Sequence, residues 1–295
     1  MTTEPDGTSS AGVEVCVITG MSGAGKSAVA NVLEDLGWWV VDNLPPSLLD
    51  ELVATVARDA HVTRVAVVVD VRGGALFEEI FQALDDLTAR GVLPAVLFLE
   101  ASDEALVRRF ESARRPHPLQ GDNRVLDGLQ REREALGALR ARASYVVDTS
   151  ALTVHQLGRR IRATMQPDDA DGVRVLVMSF GFKYGIPVDA DLVADLRFLP
   201  NPYWIPELRP QTGQDRPVAE YVLGQPAAGA FLERYDELLR LVLPGFATEG
   251  KRFLTVAVGC TGGKHRSVAT AEALAARLRD AGQVAATFHR DLGRE

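Results

Sequence analysis

The stretch ITGMSGAGKS, residues 18–27, lies between the apolar run VEVCV and the helical pattern SAVANVLEDLG. Gly20, Gly25, Lys26 and Ser27 satisfy G-x-x-x-x-G-K-[ST] in the order strand, loop, helix that gives this pattern its meaning. Glycines let backbone N–H groups turn inward around phosphate oxygens, and the helix N-terminus adds positive potential. Lys26 then reaches the β and γ phosphates of a nucleotide, and Ser27 ligates Mg²⁺. A catalytic role falls to Lys26, Ser27 and a metal-holding carboxylate.

Outward from that loop, apolar segments at 13–20, 38–44, 63–71, 94–101 and 144–150 read as strands. They alternate with helical patterns at 27–37, 46–59, 75–90, from Asp103, and 124–142. Such alternation predicts an α/β fold, a parallel sheet with helices on both faces. The carboxylate expected to hold the metal through its water shell is Asp70, after VAVVV, with Asp42 after WWVV as second candidate. Either could instead cap a loop. Arg108, Arg109, Arg114 and Arg115 could cover a γ-phosphate, as in the lids of small P-loop kinases, or form a solvated helix face.

The cluster QPDDADG breaks this pattern. The expected domains are a disordered tail at 1–12, a nucleotide-binding domain at 13–166, a linker at 167–172 and a smaller C-terminal α/β domain at 173–295. In the last, strands are expected at VRVLVMSF, RFLTVAVG and QVAATFH, and helices at 228–246 and 267–282. Residues 180–226, rich in Pro, Gly and aromatics, read as loop. Lys183, Asp189, Asp191 and Asn201 would furnish a pocket wall there, with the aromatics in the core.

A second glycine turn, GCTGGKHRS at 259–267, leaves three positions between Gly259 and Gly263 where the P-loop needs four. It does match C-x5-R-S from Cys260 to Arg266 and Ser267, which resembles the loop of cysteine-dependent phosphatases. Strand, turn and helix N-terminus would present backbone donors and a bidentate arginine to a dianion. Cys260, Thr261, Gly262, Gly263, His265 and Arg266 are therefore expected to bind a phosphorylated metabolite without covalent chemistry. A thiolate phosphatase and a purely structural turn are the alternatives. Only four lysines occur, and Lys26 and Lys264 lie in the two glycine turns.

A net charge of −8 disfavours a broad basic face for nucleic acid or anionic membrane. No apolar run nears the roughly 20 residues a bilayer requires, and the first residues lack the pattern of a signal peptide, so no membrane partner and a cytoplasmic location are expected. Cys16 and Cys260 supply neither a disulfide framework nor a metal cluster.

GMSGAGKS, VVDNLP, DVRG at 70–73, RRPHPL at 114–119, SFGFKYGIP, DLRFLPNPYW and GCTGGKHRS, in this order, resemble the RapZ family of P-loop nucleotide-binding proteins. The resemblance implies ATPase and GTPase activity, with ATP at Gly20, Met21, Ser22, Gly23, Ala24, Gly25, Lys26 and Ser27, and GTP at Asp70, Val71, Arg72 and Gly73. It implies a kinase-like first domain, and a second similar to the sugar-phosphate part of phosphofructokinase. Mg²⁺ would lie at Ser27 and Asp70, and a homo-oligomer is expected. Enterobacterial members are RNase adaptors that bind small regulatory RNAs and sense glucosamine-6-phosphate. The present chain ends AATFHRDLGRE, where Asp291 and Glu295 offset Arg290 and Arg294, which predicts weak RNA binding at physiological salt. Alternatives to a slow regulatory NTPase are an RNA-binding adaptor and a small-molecule kinase that uses Asp42 and the arginine lid on an acceptor.

Overall fold

The computed structural model describes residues 13–58, 61–70, 74–114, 116–121, 124–165, 173–249 and 251–294. The expected tail at 1–12 and linker at 167–172, together with Val71, Arg72, Gly73 and Arg115, lie outside the described residues. Contacts divide the chain into two compact units between Gly158 and Arg159.

The first unit runs β1 (Glu14–Gly20), α1 (Lys26–Asp35), β2 (Trp39–Val41), α2 (Leu49–Val56), β3 (Arg64–Val68), α3 (Gly74–Ala89), β4 (Ala95–Glu100), α4 (Asp103–Ala113), α5 (Val125–Ala141), β5 (Tyr145–Asp148) and the first turns of α6 (Val154–Met165). Its five strands are all parallel, in the order β2-β3-β1-β4-β5, with Val17 of β1 opposite Val67 and Val96. β1 and β4 are buried along almost their whole length, so both sheet faces are covered. Ligands of such sheets bind outside the carboxyl ends of the strands. Gly20 ends β1 there, Asp42 follows β2, and Asp70 lies two residues past β3.

Gly20 shows why the chain needs glycine at the end of β1. Its φ is +122°, and a Cβ would stand 2.0 Å from the Leu99 carbonyl oxygen on β4. Gly20→Ala combines a left-handed backbone with a clash against a central strand, and should cost about 2–5 kcal/mol of stability. A denaturation midpoint equal to that of the parent would contradict this packing. At α4, Ser102 accepts the Ala105 N–H at 3.3 Å, and Asp103 and Glu104 occupy the first turn, so this helix starts where its cap directs.

The second unit contains β6 (Arg174–Gly181), β7 (Leu192–Asp195), α7 (Arg216–Leu223), α8 (Pro226–Thr248), β8 (Phe253–Cys260), α9 (Arg266–Asp280) and β9 (Ala285–His289). Its sheet, also parallel, has the order β7-β8-β6-β9. β8 is buried throughout and packs against α9 through a core that includes Val256, Val258, Leu274 and Leu278. The last turns of α6 belong to this unit, where Arg160 and Asp189 form a buried ion pair at 2.7 Å.

Residues 180–226, read from sequence as loop, hold β7 and α7. β7 is a four-residue edge strand in which Val193 is exposed and Ala194 buried, too short a pattern to register. α7 has Pro217 in its first turn, where no intrahelical N–H bond is lost. Among the described residues, no helix is long and apolar enough to cross a membrane.

Candidate functional site

In the first unit, the loop leaves β1 at Gly20 and enters α1 at Lys26. Gly23 and Gly25 adopt φ of +80° and +107°, which lets six residues reverse direction within the loop. Met21 N–H donates to Leu99 O at 2.9 Å and Ala24 N–H to Met21 O at 3.1 Å, which fixes the loop on the sheet end. Lys26 Nζ donates to Gly20 O at 2.7 Å across the mouth of the loop.

A pocket of ≈ 620 Å³ opens there. Ser22, Gly23, Gly25, Lys26 and Ser27 line one side, while Asp42, Asn43 and Asp70 line another. Phe110, Pro116 and Pro118 supply a third wall. Lys26, Ser27 and both candidate carboxylates thus share one cavity. Met21 and Ala24 are buried behind the loop, and Gly20 anchors its base. Asn43, which sequence reasoning passed over, has φ +54°; asparagine tolerates that turn, which swings the chain after Asp42 along the pocket.

Of the four candidate lid arginines, the three described ones, Arg108, Arg109 and Arg114, do not line this cavity. Arg109 donates to Gly23 O at 3.0 Å, Thr149 Oγ1 at 3.0 Å and Thr149 O at 2.6 Å, clamping the loop to the end of β5. Burial pushes its guanidinium below the ordinary value; Asp148 opposes that shift and Arg108 adds to it. Arg108 and Arg109 line a separate hollow beside Ser150 and Leu152. Arg114 is exposed and closes α4 at φ +51°.

The second glycine turn joins β8 to α9 and lines a pocket of ≈ 650 Å³ with Cys260, Thr261, Gly262, Lys264, His265 and Arg266. Gly263 lies outside that lining: its φ is +80°, and its N–H donates to Cys260 Sγ at 3.3 Å. Ser267 Oγ stands 3.1 Å from the same buried sulfur. Arg266 is 3% exposed. Its Nη1 donates to Leu199 O at 2.9 Å and its Nη2 to Thr261 Oγ1 at 3.2 Å, but its buried Nε finds no partner among the described residues.

The run 197–213 supplies more of the lining and is bonded back to the turn. His265 Nε2 donates to Arg209 O at 3.2 Å, and Gly213 N–H donates to Lys264 O at 2.8 Å. Lys183 and Asn201 line this pocket as sequence reasoning placed them. Asp189 and Asp191 do not: Asp189 pairs with Arg160, and Asp191 with Lys251 and the Thr255 N–H. Tyr203 and Trp204, expected in the core, are 46% and 74% exposed and form part of the lining. Four cations, Lys183, Arg209, Lys264 and Arg266, face this space, and among the described residues no carboxylate lines it.

Buried Asp291 supports that pocket from behind. It accepts the Gly181 N–H at 2.8 Å and pairs with Arg290 at 2.7 Å and Arg294 at 2.8 Å, while Tyr184 OH donates to Arg294 O at 2.8 Å. The tail arginines are thereby committed to holding the turn that carries Lys183.

Residues 13–169 match the family model described as the RapZ-like N-terminal domain, and residues 173–293 that of the RapZ C-terminal domain. The chain belongs to the RapZ family. A nucleotide-binding protein of Streptomyces coelicolor is 59% identical over 283 residues, covering 96% of this chain and 95% of its own. A nucleotide-binding protein of Thermobifida fusca is 57% identical over 283 residues, covering 96% of both chains. Among solved structures, the shikimate kinase of Bacteroides thetaiotaomicron is 16% identical, with a TM-score of 0.37, over 52% of this chain and 99% of its own. The tunicamycin resistance protein of Deinococcus radiodurans is 18% identical, with a TM-score of 0.40, over 53% of this chain and 97% of its own. RapZ membership accounts for both glycine turns within one chain, each at the carboxyl edge of its own parallel sheet.

Proposed function

We propose that this protein binds a nucleoside triphosphate with Mg²⁺ in the first pocket, hydrolyses ATP and GTP slowly, and binds a phosphorylated sugar such as glucosamine-6-phosphate in the second. The observation that carries this division is the difference in acid content. Asp42 and Asp70 face Lys26 and Ser27 in one cavity, whereas four cations and no described carboxylate face the other.

Mg²⁺ takes few protein oxygens and completes its shell with water and phosphate oxygens, so Ser27 and Asp70 suffice as its protein contacts. Bound there, the ion would neutralise charge developing on the transferred phosphoryl group. Lys26 and the N–H groups of the loop orient the phosphates, and the walls of Phe110 and the two prolines limit water. The name of the Streptomyces relative and the match to P-loop spacing support nucleotide binding. Asp70 is the one described member of the segment that the family resemblance associates with GTP.

In the second pocket, Arg266 Nε and the backbone at Thr261 and Gly262 would take the phosphoryl group, and the exposed ring of Trp204 would take the apolar face of the sugar. Calorimetry with ATP, GTP and a panel of sugar phosphates, together with phosphate-release assays, tests the whole. Trp204→Ala should weaken sugar-phosphate binding about tenfold and leave inorganic phosphate binding unchanged. Equal loss for both ligands would remove the stacking role.

RNA is left out of this function because Arg290 and Arg294 are already paired with Asp291. A cysteine phosphatase is a second reading, favoured by the Gly263 N–H and Ser267 Oγ gathered around Cys260 Sγ. It requires p-nitrophenyl phosphate turnover that Cys260→Ser abolishes, and an inactive parent protein ends it.

A further inference from the structure

The phosphate loop is held from behind by buried groups that its sequence pattern does not specify. Glu132 of α5 is 2% exposed. Its Oε2 accepts the Ser22 N–H at 2.9 Å and its Oε1 accepts the Ser22 hydroxyl at 2.6 Å. His117 supplies the third donor. Its Nδ1 accepts the Leu119 N–H at 3.1 Å, so the ring proton belongs on Nε2, which stands 3.1 Å from Glu132 Oε2. His117 is itself confined: Phe110 meets its ring edge-on at 5.0 Å, and a Cβ on Gly128 of α5 would come within 2.6 Å of Nδ1.

This chain of groups joins two walls of one cavity. Ser22 belongs to the phosphate loop, and the neighbours of His117, Pro116 and Pro118, line the same cavity. Removing the acceptor would leave the Ser22 N–H, the Ser22 hydroxyl and His117 Nε2 without their partner in a dry site, which costs more than the bonds contribute net.

We propose that Glu132 is a positioning residue for the phosphate loop and that, through His117, it couples the curvature at Ser22 to the placement of residues 116–119. Nucleotide that seats the loop then also seats the proline wall. This inference rests on the assignment of nucleotide to the first pocket.

Charge and geometry predict opposite signs, which makes the test sharp. Glu132→Leu removes a negative charge beneath a phosphate site together with every acceptor there; if charge alone mattered, triphosphate would bind more tightly. If positioning matters, binding weakens, because leucine accepts from neither the Ser22 nor the His117 donors. In the full-length protein, with Mg²⁺ and the non-hydrolysable analogue AMP-PNP followed by calorimetry, Glu132→Leu should raise Kd about tenfold or more. Ser22→Ala, which loses only the hydroxyl bond, should raise it about threefold. Adding His117→Ala to Glu132→Leu should change little, because both cut one link. AMP-PNP should slow exchange of the His117, Leu119 and Gln120 amides in the parent but not in Glu132→Leu.

Unchanged or tighter binding in Glu132→Leu overturns the proposal, as does retained nucleotide-dependent protection of the His117, Leu119 and Gln120 amides in that variant. Should Glu132→Leu fail to fold, Ser22→Ala carries the decision, with parental affinity as the refuting result. A parent that binds no AMP-PNP refutes the nucleotide assignment itself, a different outcome from a parent that binds and a variant that binds equally.

Discussion

Lys26→Ala is expected to weaken ATP binding about a hundredfold or more while leaving sugar-phosphate binding at the second pocket at its parental value. The ammonium donates to Gly20 O at 2.7 Å, within the cavity lined by Asp42 and Asp70. Without it, a triphosphate would meet two carboxylates opposed only by bound Mg²⁺, the helix N-terminus and the loop N–H groups. Removing one partner of a desolvated charge pair costs about 2–5 kcal/mol, and this site would lose its only lining cation among the described residues. Lys26 is half-buried and supports no apolar core, so the melting temperature should stay near that of the parent. Calorimetry with each ligand separates the outcomes: parental ATP affinity removes the P-loop assignment, and equal loss of both ligands removes the two-site division.

The first unit was legible because its determinants are local. Each strand carries an unbroken apolar run, each helix its own period, and the P-loop its glycines, so tertiary context had little to override. The family resemblance of both halves was legible for the same reason, since its motifs are short and contiguous. Long-range pairing was not. Glu132 lies in REREALG, among charges that look like a solvated helix face, and only contact with Ser22, 110 positions away, makes it a buried acceptor. The sequence places Asp189 in the pocket wall, but Arg160 takes it into a buried pair.

The aromatics failed for a related reason. Residue type alone does not tell a ring in the core from a ring on a rim. At Tyr203 and Trp204 the decision lies in backbone shape: Asn201 Oδ1 accepts the Tyr203 N–H at 3.4 Å, starting a short helical turn at Pro202. That turn presents Trp204 outward, and Arg209 stacks over Tyr203 at 4.8 Å to hold the wall. Asp195, at the base of the same run, is kept below the usual carboxylate range chiefly by its hydrogen bond from Arg197. Both exist only once β7 places the run at the edge of the second sheet.

Arg266→Ala should produce the reverse of the Lys26 result: sugar-phosphate binding weaker by about 2–5 kcal/mol, with ATP binding unchanged. Arg266 opens α9, and two of its nitrogens are already fixed by Leu199 O and Thr261 Oγ1, so the guanidinium plane is set before any ligand arrives. Its buried Nε lacks a partner among the described residues, a state that costs free energy unless an acceptor completes it. A phosphoryl oxygen is such an acceptor, and a carboxylate is absent from the described lining. Arg266→Lys discriminates between charge and shape. A lysine keeps the cation but cannot span Leu199 O and Thr261 Oγ1 while donating a further bond in the same plane, so it should recover little of the lost affinity. Full rescue by lysine would reduce the second turn to an electrostatic patch, and parental affinity in Arg266→Ala would leave its phosphate cradle without a function.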